Sequence, residues 1–282
     1  MLAHAQIHKQ AVVNQAESTS DAVIDLYQSI VGGFLSSANM YAFIDAAIPI
    51  IKAGMGNAHT ISGGAYRRAR TGEGVRDSFT FPGRRSVADE QIASSLKYLG
   101  FVAPRRRQND GEVAFEIPME DLDPGLTEST LEGGVGRRVV QESMGAIARA
   151  ARADARAIGW ARVTMNDGNV CYFCSMLESR GVVYSKASFE SSDPRFRGNS
   201  YPPAVLDGEL AAKAHDHCRC VLTPVFSQGS DVIENADRLY STWLEVQKQY
   251  AAVARMLGWD MIKVWRLWWE DRIDDEISRR MG

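Results

Sequence analysis

A chain of 282 residues with 45% hydrophobic and 24% charged side chains is long enough to bury one large core or two modest ones. Its formal net charge of -3 and pI near 6.0 exclude a global electrostatic pull toward nucleic acid, so any such contact has to come from a local patch. No apolar run reaches the roughly 20 residues that cross a bilayer and no secretory n-region or h-region opens the sequence, so a soluble protein with no membrane partner is expected.

Residues 1 to about 55 read as helical. After Ser18-Thr19-Ser20-Asp21, an N-cap cluster, Val23, Tyr27, Ile30 and Phe34 recur at one helical face, and Gly32-Gly33 weakens its end. A second helix is expected from about Ala38 to Lys52, with Met40, Phe43, Ala47 and Ile51 inward and Pro49 kinking or ending it. From Gly54 to Arg85 the chain turns polar and glycine-rich, with Arg67, Arg68, Arg70, Arg76, Arg84 and Arg85 among Gly63-Gly64, Gly72 and Gly74, which reads as a loop. A short helix follows from about Ser86 to Leu99, and then Arg105-Arg106-Arg107. Together these arginines form a basic cluster that could meet phosphates, with Arg105, Arg106 and Arg107 as the nucleic-acid-binding candidates; a solvated loop is the plain alternative.

The sign reverses between Gln108 and Val135, where acidic residues stand without Lys or Arg among proline and glycine, the pattern of a linker or of a strip folding back onto the arginines. Val140, Met144, Ile147, Ala151, Ala155 and Ile158 then predict a helix from about Gly136 to Ile158, closed by Gly159. Trp160-Ala161-Arg162-Val163, Gly181-Val182-Val183-Tyr184 and Val221 to Phe226 read as short strands. In the tail, Ala236, Leu239, Trp243, Val246, Tyr250, Val253 and Leu257 form a heptad-like seam that Gly258 breaks, and a second helix runs from Asp260 toward Arg279. Trp243, Tyr250, Trp265 and Trp268 are the candidates for a partner or homo-oligomer interface, core packing being the commoner fate of such rings.

All four cysteines lie in one stretch. Cys171-x-x-Cys174 opens it and His215-Asp216-His217-Cys218-Arg219-Cys220 closes it, so more soft donors are present than the four a tetrahedral Zn²⁺ needs. Cys171 and Cys174 form the secure pair, because that spacing lets both thiolates reach one metal. The other pair stays open among His215, His217, Cys218 and Cys220, with Cys220 and one histidine preferred. Disulfides suit a reducing compartment poorly, and buried free thiols would not be expected to fall in two tight pairs beside two histidines.

The ordered set Gly159-Trp160-Ala161-Arg162-Val163, Cys171-Tyr172-Phe173-Cys174, Arg180 to Tyr184 and His215 to Cys220 followed by Pro224-Val225 resembles the Mu F-like minor capsid proteins of tailed bacteriophages, in their actinobacterial-phage branch. The resemblance covers about residues 136 to 226. It implies a low-copy virion protein inside the head, present in the host cytoplasm during assembly and associated with the portal protein, the major capsid protein or packaged DNA. No settled catalytic chemistry comes with it. Some relatives act as capsid maturation proteases, but no Ser-His-Asp/Glu arrangement with a nucleophile turn is visible here. A metal-dependent nuclease of treble-clef type, with His215 or His217 as base, is the other enzymatic alternative.

The expected fold is mostly α with a small β-containing, zinc-stabilised module, an α+β arrangement with a helical N-terminal arm and a C-terminal helical hairpin. Its expected divisions are 1–107 (N-terminal helices and basic loop), 108–135 (acidic linker), 136–226 (the Cys/His module) and 227–282 (the hairpin).

Overall fold

Three long helices carry the architecture of the computed structural model, which describes residues 2–31, 37–104, 123–164, 171–183 and 220–281. Helix α1 is Leu2–Val31, α2 is Ser37–Gly72, and both pack on a later helix, Pro124–Ala153. Between them, α3 (Asp89–Lys97) has Asp89 and Glu90 in its first turn and Lys97 in its last, which suits the helix dipole, and runs into a π-helical turn, Tyr98–Val102. The later helix is α4.

Several boundaries differ from the sequence reading, each for a physical reason. The Ser18–Asp21 cluster lies inside α1 instead of capping it, because Thr19 Oγ1 donates to the Gln15 carbonyl at 2.7 Å and Ser20 Oγ to the Glu132 carbonyl of α4 at 3.1 Å. Helix α2 continues through Pro49 and through the expected loop as far as Gly72. Burial of Phe43, Ile44, Ala47 and Ile51 on the turns around Pro49 outweighs the one intrahelical bond that proline removes. Its glycines serve contact: a Cβ on Gly54 would lie 2.3 Å from Thr19 Oγ1, so α1 and α2 cross where only hydrogen fits.

Helix α4 begins at Pro124, with Asp123 Oδ1 accepting from Gly125 N at 2.9 Å, so the last part of the acidic stretch is helical. Leu131 and Val135 extend its buried stripe upstream and pack with Ile92, Leu96 and Leu99. It ends at Ala153, with Asp154 as the C-cap, before the Gly159 that the sequence suggested. The Asp154 carboxylate accepts from Tyr66 Oη (3.1 Å), Arg70 Nε (2.7 Å) and Arg156 N (3.0 Å), and Arg70 also donates to Asp77. Arg70 is therefore a buried structural cation, and Phe79 and Phe81 strap the 73–88 segment onto Tyr66 with ring centroids 5.3 and 5.7 Å away.

Strand β1 (Gly159–Val163) pairs antiparallel with β2 (Val221–Val225), Gly159 opposite Val225 and Val163 opposite Val221. Every residue of both strands is buried, so this two-stranded ribbon is a core element covered by helices. Trp160 and Leu222 join the core of α1, α2 and α4, while Ala161, Val163 and Val225 pack with Ala5 and Val232. Between the strands in sequence come α5 (Tyr172–Glu178) and a 3-10 turn, Gly181–Val183, where a strand had been expected; Gly181 has φ 59° and Tyr184 lies outside the described residues.

The tail forms α6 (Asp231–Leu257), α7 (Met261–Trp269) and α8 (Ile273–Met281). Gly258 ends α6 with φ 66°, as its sequence predicts, with Trp259 N donating to Ala254 O. The expected single helix after Asp260 is two helices. Asp271 turns left-handed at φ 53°, and Arg272 N donates to Leu267 O and Asp271 N to Trp268 O, which closes α7 in a Schellman motif. Among the described residues no helix is long and apolar enough to cross a membrane.

Candidate metal centre

The cysteines meet where β2 begins and α5 begins. Cys171 is the N-cap of α5, in extended conformation, and its Sγ accepts from Cys174 N at 3.3 Å. That hydrogen bond satisfies one of the backbone donors of the first turn. Cys174 sits in the first turn with its sulfur 3.4 Å from that of Cys220, the residue just before β2. The two sulfurs touch without bonding to each other, since a disulfide holds them near 2.05 Å.

Two buried charged residues complete this neighbourhood. Arg162, in the middle of β1 and 4% exposed, donates from Nη1 to Cys220 Sγ at 2.9 Å. This contact fixes the Cys220 sulfur against the strand that carries Arg162. Glu178, one helical turn after Cys174, is 2% exposed; its Oε2 accepts from Thr164 N (2.9 Å) and from the Thr164 hydroxyl, and its Oε1 from Asn235 Nδ2 (2.8 Å). Burial, reinforced by the negative charge of Cys220, pushes the Glu178 carboxyl up to about 7 against the opposing hydrogen bonds. Glu178 thus ties the end of β1 to α5 and α6. Trp265 of α7 closes the far side of α5, its Nε1 donating to the Tyr172 carbonyl at 2.9 Å.

Sulfur donors presented by a helix cap and a strand start, with a cation against one of them, fit a thiophilic divalent metal. Among the described residues no three His, Cys, Asp or Glu side chains by themselves form a metal-holding group. His215, His217 and Cys218 lie outside the described residues, as do Arg105, Arg106 and Arg107. The structure brings Cys174 and Cys220 together, with Cys171 on the same turn.

Sequence reasoning passed over Arg162 and Glu178 as members of the cluster. The signals were available: Glu178 stands four residues after Cys174 on one helical face, and an arginine inside a run of strand residues has to find an anionic or polar partner. The aromatic candidates of the tail are mostly interior. Trp265 is 0% exposed and Tyr250 8%, packed among Val246, Ala254 and Val264, with Trp243 and Trp268 partly buried against them. Trp265 stacks on Trp268 at 5.1 Å and meets Trp243 edge-on at 5.2 Å. Trp265 has no exposed surface to offer a partner; the outward large apolar residues described in this region are Tyr240, Leu244, Met256, Ile262 and Met281.

Compared with known proteins, residues 3–246 match the family described as VG15 protein. No curated protein and no solved structure matches the chain.

Proposed function

Because the chain belongs to the VG15 protein family, a phage-type family of virion genes, we propose that it is a minor structural protein of a tailed-phage head, associated with the portal or inner capsid and needed for head morphogenesis or handling of packaged DNA. The observation that carries this reading is the extent of the match. It spans the three-helix frame, the two-stranded ribbon, the cysteines and most of α6, and ends before α7 and α8. The Mu F-like spelling of residues 159–184 and 215–225 supports the finer placing in the head.

In this reading Cys171, Cys174, Cys220 and His215 or His217 hold one Zn²⁺, with Cys218 as the substitute donor. A closed four-ligand zinc supplies folding free energy by tying strand to helix. Arg162 and Glu178 hold the thiolates and the strand end in place around it.

Proteomics of purified heads, before and after DNA release, tests the structural role. We expect the chain in both at low copy number, and particles made without its gene to show malformed or empty heads; normal heads lacking the chain would end the proposal. Plasmid or capsid-protein cleavage that disappears in His215→Ala or His217→Ala would replace it with an enzymatic reading. Metal analysis of untagged protein should find about one zinc per chain. Cys171→Ser should then lower the melting of the ribbon and leave the long helices measurable by circular dichroism.

A further inference from the structure

Helix α6 has two long faces, and the described residues occupy one of them. Val232, Ala236, Val246, Tyr250 and Ala254 are buried, and through that side α6 meets chiefly α5, the Gly181–Val183 turn, β1 and α7. The heptad-like seam of the sequence, Trp243 and Tyr250 included, is thus taken up within the chain.

On the opposite side Asp237, Tyr240, Leu244, Lys248, Ala251 and Arg255 follow one another at steps of three or four residues, a second stripe about 27 Å long. All six are exposed, Tyr240 by 49% and Leu244 by 46%. Asp237, Lys248 and Arg255 have no ion pair among the described residues. A tyrosine and a leucine half bare on one face, with charges toward the two ends, have the apolar centre and polar rim of a contact surface.

The order of the stripe decides what fits it. Read from its other end it runs Arg, Ala, Lys, Leu, Tyr, Asp. A second α6 laid antiparallel across it therefore sets Asp237 against Arg255, Tyr240 against Ala251 and Leu244 against Lys248, and two-fold symmetry repeats each pair. One register serves all three, because each pair is centred at the level of Val246 along the helix. Acid then meets base, the ring lies over a small side chain, and the aliphatic stem of lysine covers leucine. The parallel arrangement sets Asp237, Lys248 and Arg255 each against its own kind, and like charges oppose it.

We propose that the outward stripe of α6 is a self-association surface that takes a second copy of the chain, antiparallel, about a two-fold axis level with Val246. It rests on α6 alone and is independent of the placing of the chain in a phage head. A single helix pair is a small interface, so the dimer is weak, with a dissociation constant on the order of 10 μM.

Sedimentation velocity of the full chain, from about 1 to about 500 μM, should show a monomer–dimer equilibrium. Asp237→Arg sets arginine against Arg255 at both ends of the contact, and Arg255→Asp sets two aspartates together; each should weaken the dimer about tenfold. The double variant Asp237→Arg/Arg255→Asp recreates both pairs with their signs exchanged and should restore wild-type association, a rescue that belongs to the antiparallel register. Tyr240→Ala should weaken the dimer several-fold. A monomer across the whole range overturns the proposal, including the case in which the stripe holds a different protein. A dimer indifferent to the single reversals overturns it too, as does a double reversal no tighter than the singles. Thermal melts check that each variant folds. Arg255 lies in the last turn of α6, where its charge also suits the helix dipole, so Asp237→Arg alone decides if Arg255→Asp loosens the helix.

Discussion

The three-helix frame and the cysteine-bearing end solve the problem of burying a polar group in opposite ways. In the frame, His8, Ser62 and Ser143 meet from α1, α2 and α4, with His8 Nε2 at 3.3 and 3.2 Å from the two hydroxyls. All three are neutral, and surrounding apolar helices make the site stable without charge. At the other end Arg162, Glu178 and the cysteines place ionisable groups beside a ribbon of only two strands. Two strands make a core only if helices cover both faces, so this end depends on α4, α5 and α6 and on whatever the sulfurs hold. Apart from the buried Arg70–Asp154 pair where α2 meets the end of α4, apolar packing dominates the frame, whereas the cysteine end gathers its charged groups and sulfurs around the ribbon.

The largest expected effect separates the C-terminal hairpin from the frame. Trp265→Ala should cost about 3–5 kcal/mol, the usual range for emptying a buried aromatic site. Hydrogen exchange should rise across α5 to α8 while α1, α2 and α4 stay protected, and uniform loss of protection would show instead that the two regions fold as one unit. Asp154→Asn comes next, at about 3 kcal/mol, because it leaves buried Arg70 with weaker compensation. Urea unfolding measures it, and an unchanged midpoint would show that Asp77 alone suffices.

His8 gives a pH-dependent test of the frame. Burial, and secondarily the Arg68 charge, hold its pKa down at about 4 from an ordinary 6.5. As the pH falls below 6.5 the unfolded chain takes up the proton first, so the histidine's contribution is complete above 6.5 and lost progressively toward 4. Between neutrality and pH 5 this amounts to about 2 kcal/mol, and His8→Gln should remove that share of the acid destabilisation. An identical slope of stability against pH in the variant would refute it. The smallest effect tests the helix crossing: Gly54→Val should cost about 1–3 kcal/mol through its clash with Thr19, whereas Gly83→Val, with open space around it, should cost little by the same thermal melt.

Much of the fold was legible in sequence because it rests on local periodicity. The stripes of α1 and α4, the ends of α6 at Gly258 and of α7's N-terminus at Asp260, and the two strands follow from side-chain spacing and caps. The glycines misled. Gly54 and Gly63 of α2 and Gly134 of α4 read as loop or linker, yet they lie in helices where Thr19, Phe81 and Leu99 approach so closely that a Cβ would collide or crowd them. Glycine signals conformational freedom in a sequence, but here it signals proximity, which depends on a second element that no local window contains. The cysteine spacing pointed to its cluster, and the arginines did not declare their partners.

The amino-acid sequence by itself determined the helical character, the breaks at Gly258 and before Met261, the pairing-competent strands and the soft-donor stretch, because each is set by residues within a few positions of one another. Tertiary structure alone decided that Arg70 is a buried cation bound to Asp154, that Arg162 and Glu178 stand at the cysteine cluster, and that Trp265 is interior. A charged side chain's role is fixed by the partner it meets and the water it loses, and both are properties of contacts between distant segments.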